Sequence, residues 1–365
     1  MNLKTLSLAV IVLALLAGAA AFFNRPTPPP DADPRVDQAL LDASTANGTT
    51  ELSLTQNSNT VTLRHDASTD TWRVSSYHDL PANVTKLRTF VQSLTDAKIQ
   101  RVVTRNPERA ARLELDTASI ELTTTDGSTW SVDLGKNAER GGRYLRFDDA
   151  PDAPAYLADF SGYLDTTAKN WADTKLTSLD RDDIATMTIT FADEAPITLT
   201  RESATADWTA ADLPGDQQVK VGAISSLLSA ATNLRFTAVT APDVPDAIEA
   251  GANSRTLTFT TFDGETLTLN LGRRPEKTVV KAPEPTNPAD LVTEATTATA
   301  PESADEVLEN LTETLPAGPT YATVTGPATL APLASYQSTL AFQIGDYTYT
   351  SLPATHEALL ESNPE

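Results

Sequence analysis

The stretch IELTTTDGSTWSVDLG at residues 120–135 contains the strongest fold signal in the chain. Apolar residues alternate with polar ones on both sides of Asp126-Gly127, and Asp-Gly is a preferred pair for the two-residue turn of a β-hairpin. A second stretch, LTFTTFDGETLTLNLG at residues 257–272, has the same length, the same Asp-Gly pair, now Asp263-Gly264, and the same Leu-Gly ending. The two stretches predict two antiparallel hairpins.

The elements around these hairpins recur with the same spacing. A helical stripe centred on Leu87 has a counterpart centred on Ile224, at the same separation along the chain as the two Asp-Gly turns. Trp72 has a counterpart in Trp208, and that separation is shorter by a single position. Matching hairpins, tryptophans and helices in the same order indicate a duplicated unit. The sequence therefore predicts an α+β fold of two tandem repeated units, each built from antiparallel β-hairpins and one amphipathic helix.

Within the first unit, alternation predicts a hairpin that turns at Asn57-Ser58-Asn59 and a strand at Trp72. Apolar residues at helical spacing predict a helix over residues 83–97. A second helix is predicted over residues 157–171, where the chain leaves the unit. Further strands are predicted at residues 99–103, 144–147, 187–189, 197–199 and 320–324.

Residues 5–23, TLSLAVIVLALLAGAAAFF, carry no charge. As a helix they span about 28 Å, close to the thickness of the hydrocarbon core of a bilayer. Lys4 precedes the segment, so the positive-inside tendency places the bulk of the chain outside the cytoplasm. We interpret residues 1–23 as a transmembrane signal anchor, and Ala19-Ala20-Ala21 leaves a cleaved secretory signal as the alternative.

Composition divides the remainder of the chain. Residues 24–35 are rich in proline, which favours a stiff, extended tether. Residues 282–319 contain eight acidic and no basic residues, a composition that predicts disorder. The predicted segments after the anchor are a Pro-rich tether and lead-in at 24–50, a first repeat at 51–176, a second repeat at 177–281 plus 320–352, an acidic insertion at 282–319 and a polar tail at 353–365.

The chain has 365 residues, no cysteine and a formal net charge of -22. Such an acidic surface argues against binding of nucleic acid or of anionic lipid headgroups, which requires Lys and Arg to neutralise phosphates. An exported protein without cysteine is more typical of a bacterial periplasm than of a eukaryotic secretory route. The predicted location is the inner membrane, crossed once, with the bulk of the chain in the periplasm.

The sequence contains no recognisable catalytic or cofactor motif. His65, His78 and His356 are scattered, and none has a second ligand at metal spacing. We therefore predict no catalytic residue, no metal and no cofactor. An undetected hydrolase would need a cleft with convergent carboxylates, for which the sequence offers no spacing.

The four tryptophans are the candidate contact or packing residues. Trp72 and Trp208 occupy equivalent places in the two units, which favours packing over ligand contact. Trp171 lies where the first unit ends and is expected to pin that joint. Trp130 follows the Asp126-Gly127 turn, and it is the best single candidate for a contact residue if its face is exposed.

Taken together, the paired units and the exit Asn170-Trp171-Ala172-Asp173, followed by Leu176 and Leu179-Asp180, form one pattern. The pattern resembles a bacterial family known only as domain of unknown function 4340, over residues 1–281 and 320–350. The resemblance implies a membrane-anchored accessory of gliding-motility-type ABC transport systems, beside a permease and an ATPase. It implies no catalytic residues.

These observations lead to two expectations about function. The first is a non-enzymatic, membrane-anchored periplasmic accessory protein, an auxiliary subunit of an ABC-type transport complex, held in the inner membrane through residues 5–23. The alternative is a periplasmic binding or chaperone-like module that takes lipid, peptide or glycan between sheet and helix. An apolar groove in the structure would favour the alternative.

Overall fold

The computed structural model describes residues 33–147, 153–210, 213, 217–280 and 312–362. The chain folds into two compact units, divided between Asp173 and Thr174. Each unit is a mixture of α-helices and mostly antiparallel β-sheet, as the alternating pattern predicts. The α+β class is therefore confirmed.

Unit 1 is built on one nine-stranded sheet with the order β4-β3-β2-β1-β6-β7-β8-β9-β5. All of its strand pairs are antiparallel. Its strands are β1 (Thr49–Gln56), β2 (Asn59–Asp66), β3 (Thr71–Val74), β4 (Leu80–Pro81), β5 (Ile99–Thr104), β6 (Ala118–Thr124), β7 (Thr129–Asn137), β8 (Arg143–Arg146) and β9 (Ala155–Ala158).

The two predicted hairpins of this unit are confirmed. Strands β1 and β2 meet at Asn57 and Ser58, which both adopt positive φ, as the turns that match strand twist require. Strands β6 and β7 meet at Asp126-Gly127, where Gly127 has φ +82°. The Asp126 carboxylate accepts hydrogen bonds from the Thr124 hydroxyl and the Ser128 N–H, which closes the turn.

One longer helix and several short ones accompany the sheet. Helix α2 (Val84–Asp96) begins after Asn83, whose side chain accepts a hydrogen bond from the Lys86 N–H. This helix confirms the one predicted over residues 83–97. Leu87, Phe90 and Leu94 of α2 are buried. The helices are α1 (Ala43–Gly48), α2 (Val84–Asp96), α3 (Pro107–Ala110) with a 3-10 turn at Ala111–Leu113, and a 3-10 helix at Ala168–Trp171.

The helix predicted over residues 157–171 is wrong. Residues 155–158 form β9, which pairs with β8 on one side and β5 on the other. All four residues of β9 are buried, so its apolar run reflects burial on both faces of a strand. Of the predicted helix, only the last turn is helical, as the 3-10 helix Ala168–Trp171.

Unit 2 is built on an eight-stranded sheet with the order β12-β11-β10-β15-β16-β19-β20-β14, and two small ribbons pair β13 with β21 and β17 with β18. The predicted hairpins β10–β11 and β15–β16 are confirmed. Its strands are β10 (Ile184–Thr190), β11 (Ile197–Thr200), β12 (Thr209–Ala210), β13 (Gln217–Val219), β14 (Phe236–Thr240), β15 (Ser254–Thr261), β16 (Thr266–Arg273), β17 (Lys277–Val280), β18 (Thr312–Leu315), β19 (Thr320–Thr325), β20 (Ala341–Ile344) and β21 (Leu360–Ser362).

The helices of unit 2 are mostly short. The longest that the structure describes there, α4, is the helix that the stripe around Ile224 predicts. They are α4 (Val221–Thr232), α5 (Pro245–Ala252), a 3-10 helix at Ala334–Ser338, α6 (Asp346–Thr350) and α7 (His356–Leu359).

Two segments that composition assigns to disorder or to a tail contain structure. Within the predicted insertion, β18 pairs with β17 along Lys277–Val280, while residues 281–311 lie outside the described residues. Within the predicted tail, Leu359 and Leu360 are buried and β21 pairs with β13. Burial of the two leucines, together with the strand pairing, favours docking of a segment whose overall composition is polar.

The anchor predicted for residues 1–23 also lies outside the described residues. Within the part that the structure describes, no helix has both the length and the hydrophobicity that a membrane crossing requires. The lead-in, in contrast, is partly described. Leu40 and Leu41 are buried, and their N–H groups donate to carbonyls of Ala97 and Leu94, so residues 33–42 are packed onto unit 1.

Candidate functional site

An apolar groove of about 490 Å³ opens on the helix-covered face of the sheet in unit 1. Its floor is formed by Leu52 of β1 and Leu122 of β6, which lie directly opposite each other across the β1–β6 pair. Helices α1 and α2 flank it, and Trp72 contributes to its lining. The residues that line it are Ala43, Ala46, Asn47, Thr49, Leu52, Trp72, Val84, Leu87, Arg88, Val91, Gln92, Thr95 and Leu122.

Trp72 reaches the groove because of the register of its strand. It lies opposite His65 in the β2–β3 pair, on the same face as the buried Val74. The rings of Trp72 and His65 are 5.5 Å apart, and His65 Nε2 lies 3.0 Å from Asp70 Oδ1. Trp72 is half-buried, so one part of the indole packs and another part faces the groove.

Apolar side chains are exposed in the groove because helix α2 does not cover the whole face of the sheet. Val84 and Val91 belong to the apolar stripe of α2, yet Val84 is 49% exposed and Val91 is only half-buried. At the rim, the exposed Arg88 has no hydrogen-bond or ion-pair partner among the described residues. The site thus combines an apolar interior with one unpaired positive charge.

Trp171 braces α2 from the side of the helix that carries Lys86 and Phe90. It is 1% exposed, its ring meets the Phe90 ring edge to face at 5.6 Å, and its Nε1–H donates to the Asp165 carbonyl at 2.7 Å. The Lys86 ammonium lies 4.5 Å from the centre of the Trp171 ring and donates to Asp165 Oδ2 at 2.6 Å. The Asn83 N–H adds a hydrogen bond to the Trp171 carbonyl.

The charge of Asp165 is stabilised within this network. Burial raises the pKa of the carboxyl group, but hydrogen bonds from Lys86, the Thr167 N–H and Asn170 outweigh it, and the pKa lies below its usual value. Asp165 is therefore ionised at neutral pH and holds the Lys86 ammonium against the Trp171 ring. This arrangement positions the helix that lines the groove.

Trp130 belongs to a different cluster, which Arg35 of the lead-in contacts. It is half-buried, and its ring lies 6.2 Å from Phe147, which lies 5.7 Å from Tyr156. The Arg35 guanidinium is stacked 4.3 Å above the Phe147 ring. Trp130 thus contributes to an aromatic cluster at which the lead-in is fastened.

Asp33 completes that attachment. Its carboxylate accepts hydrogen bonds from the Tyr156 hydroxyl at 3.0 Å, from Arg105 at 2.9 Å and from the Arg35 N–H at 3.0 Å. Burial raises the pKa of Asp33, but these donors more than offset it and the pKa is lowered. The pKa of Tyr156 is raised to about 12 by burial and by its bond to Asp33, so the phenol remains protonated.

Trp208 lies in unit 2, beside the buried Arg201. The Arg201 guanidinium is 4.8 Å from the centre of the Trp208 ring. It donates to three backbone carbonyls, those of Ile184 at 2.6 Å, Ala204 at 2.7 Å and Arg181 at 2.5 Å. Burial lowers the pKa of Arg201, which nonetheless remains charged. Trp208 packs on a structural arginine.

The four tryptophans therefore do not form one site. Trp72 lines the groove, Trp171 braces its helix, Trp130 supports the lead-in and Trp208 packs in unit 2. Sequence reasoning did not identify Ala46 or Arg88 as groove residues. Among the described residues, no group of three His, Asp or Glu side chains could hold a metal ion.

The fold and the groove define the class: a two-unit α+β protein of antiparallel sheets with an apolar groove in its first unit. A family model described as "Domain of unknown function (DUF4340)" matches residues 72–255, just over half of the chain. The chain belongs to this family. Comparison with curated proteins and with solved structures gives no match.

Proposed function

We propose that the protein is a non-enzymatic binding module, held on the periplasmic side of the inner membrane, whose first unit receives an apolar group in the groove lined by Trp72. The observation that carries this proposal is the groove itself, with leucines on its floor and two partly exposed valines of α2 at its side. Exposed apolar surface in a concave site is typical of ligand and partner recognition.

The membrane location is supported by the sequence of residues 5–23. Deleting residues 1–23 is expected to give a folded, soluble protein that no longer sediments with membranes. Circular dichroism reports the folding, and fractionation reports the location. An insoluble or unfolded truncated chain would mean that the apolar segment belongs to a core, and the proposed topology would then fail.

A second candidate role is that of an auxiliary subunit of an ABC-type transport complex. It rests on the association that the sequence resemblance implies and on the predicted anchor, which would place the units beside a permease. In this role the groove receives an apolar segment of the complex or of its periplasmic substrate. A permease and its ATPase are the expected partners.

We further propose that the two units arose by tandem duplication. Without the edge strand β4, the order β3-β2-β1-β6-β7-β8-β9-β5 in unit 1 corresponds strand for strand to β12-β11-β10-β15-β16-β19-β20-β14 in unit 2. A Cβ added to Gly135 would lie 2.2 Å from the Leu113 carbonyl oxygen, and one added to Gly272 would lie 2.1 Å from that of Ala250. The two glycines, like the two residues that they meet, have the same separation along the chain as the two Asp-Gly turns.

Photo-crosslinking of the full-length chain in native membranes tests the binding role. Benzoylphenylalanine at Val91 places the reactive group in the groove, whereas the same residue at Thr89, exposed on the same helix and outside the groove lining, serves as the matched control. We expect a specific product from position 91 that position 89 does not give. Equal products from both positions would contradict a role for the groove.

The identity of the product separates the two roles. Recovery of a permease and its ATPase would support the transport-accessory role. Recovery of a lipid or glycan without a protein partner would support an independent binding module.

A further inference from the structure

We propose that the groove of unit 1 binds one hydrocarbon chain that ends in an anionic head, with Arg88 at the rim as the ion partner of that head. This inference rests on the proposed binding function and names its ligand class. The floor, the size and the charge of the groove support it.

The floor of the groove is poorly suited to an extended peptide that binds by strand pairing. Strands β1 and β6, which carry Leu52 and Leu122, are each paired on both sides in the order β2-β1-β6-β7. Their backbone N–H and C=O groups are therefore used within the sheet, and an added strand would find no partners there. A hydrocarbon chain has no polar backbone to satisfy, so this floor suits it.

The size of the groove also favours a single chain. A volume of about 490 Å³ corresponds to roughly sixteen methylene groups at about 30 Å³ each, near the volume of a water molecule in the liquid. The same volume holds only about one turn of an α-helix of roughly 10 Å diameter. One helical turn offers few anchoring side chains, whereas an acyl chain of ordinary length would fill the groove.

The head of the ligand follows from Arg88. Its guanidinium is exposed at the rim and has no partner among the described residues, in a chain with a net charge of -22. That net charge disfavours docking on an extended anionic surface. The interaction of a single bound carboxylate is dominated by charges within about 8 Å, because more distant charges are screened by salt. Arg88 can therefore attract it despite the net charge of the chain. Carboxylate and phosphate heads both match the geometry of a guanidinium.

The groove is also held in shape before a ligand enters. Helix α2 is fixed by Trp171 and by the Lys86–Asp165 pair on its other side, so its groove-facing residues need no rearrangement. A preformed site loses less free energy on binding than one that must order itself.

The test uses the full-length chain in amphipol with two photoreactive probes, a C16 carboxylic acid that carries a diazirine and the C16 alcohol of the same design. Labelled peptides are mapped by mass spectrometry. We expect the acid to label residues 43–52 and 84–95. Unlabelled acids of increasing length from C8 are expected to compete with it, with affinity rising about two- to fourfold per methylene until the groove is filled. The alcohol is expected to bind about two- to fivefold more weakly.

Two variants, each with a matched control variant, localise the binding. Arg88→Gln is expected to weaken binding of the acid to the level of the alcohol. Arg112→Gln changes an exposed arginine outside the groove lining and is expected to leave binding of the acid unchanged. Ala46→Trp fills the groove and is expected to reduce labelling more than tenfold, whereas Thr89→Trp on the outer side of α2 does not. Circular dichroism confirms that each variant is folded.

Several outcomes would overturn the inference. Labelling that Ala46→Trp does not reduce, or equal binding of acid and alcohol in the wild type, would exclude this ligand class. A crosslink from position 91 to a polypeptide, or to residues 5–23 of the chain itself, in place of acyl labelling would also exclude it. A polypeptide partner at position 91 would leave the proposed binding function standing, whereas no specific crosslink and no labelling would remove both.

Discussion

Replacement of Trp171 by alanine tests the packing that positions the groove helix. Trp171 is 1% exposed, meets Phe90 edge to face and lies under the Lys86 ammonium. Truncating a buried aromatic side chain to alanine costs about 3–5 kcal/mol. Because the ring also makes an aromatic contact and a cation–π contact, each worth about 1 kcal/mol, we expect the upper part of that range.

Trp171→Phe separates the hydrogen bond from the packing. Phenylalanine retains an aromatic ring but loses the Nε1–H that donates to the Asp165 carbonyl at 2.7 Å. Loss of a donor to a part-buried acceptor costs about 1–3 kcal/mol. We therefore expect Trp171→Phe to destabilise α2 by about 1–3 kcal/mol, less than Trp171→Ala does.

Amide hydrogen exchange on the full-length chain in nanodiscs provides the assay, because it reports the opening free energy of each segment separately. Protection is expected to fall in α2 and in β3–β4, and to remain unchanged in β15–β16 of unit 2. Trp130→Ala serves as the control, since Trp130 is only half-buried and lies in another cluster. If Trp171→Ala lowers the opening free energy of α2 by less than about 1 kcal/mol, the bracing role is refuted.

Three further outcomes follow from the structure. Arg201→Met leaves three backbone carbonyls without their donor, so we expect a loss of about 3 kcal/mol in unit 2, measured by exchange at β10. Gly272→Ala brings a Cβ to 2.1 Å from a carbonyl oxygen of α5 and is expected to destabilise unit 2 strongly, whereas Gly222→Ala in α4 meets nothing within 4 Å and is expected to stabilise it by about 0.5–1 kcal/mol in thermal unfolding. The pKa of Asp42 is lowered to about 2, chiefly by its hydrogen bond from the Ser44 hydroxyl. The stabilisation that the ionised carboxylate gives to α1 is therefore present above about pH 4 and is lost as the pH falls towards 2. Asp42→Asn is expected to remove this pH dependence of the stability of α1, measured by amide exchange.

The clearest difference between expectation and structure concerns residues 157–171. An apolar run such as Ala155–Ala158 is compatible with a buried strand or with a helix, because a strand covered on both faces shows no alternation. The outcome depended on pairing with two strands, the preceding strand β8 and the sequence-distant strand β5, which supply hydrogen bonds on the two sides of β9. Such partners are not visible in local periodicity.

The groove illustrates the same limit. The stripe of α2 identifies which side of the helix meets the sheet, and Val84 and Val91 belong to it. Whether neighbours cover these valines depends on the position of α1 and on how far α2 extends over β1 and β6. For that reason Arg88 and Ala46 could not be recognised as groove residues, although Trp72 was among the candidate contact or packing residues, with packing favoured.

Most of the local elements can be recognised in the amino-acid sequence: the alternating strands, the Asp126-Gly127 turn with its counterpart in unit 2, and the two long helices. These follow from periods of 2 and 3.6 residues and from turn chemistry, which act over a few neighbouring residues. The folded chain, in contrast, establishes which tryptophan is buried, where the sheet remains uncovered and which carboxylates find donors. Those properties depend on contacts between residues far apart in the chain, such as Lys86 with Asp165 and Asp33 with Tyr156.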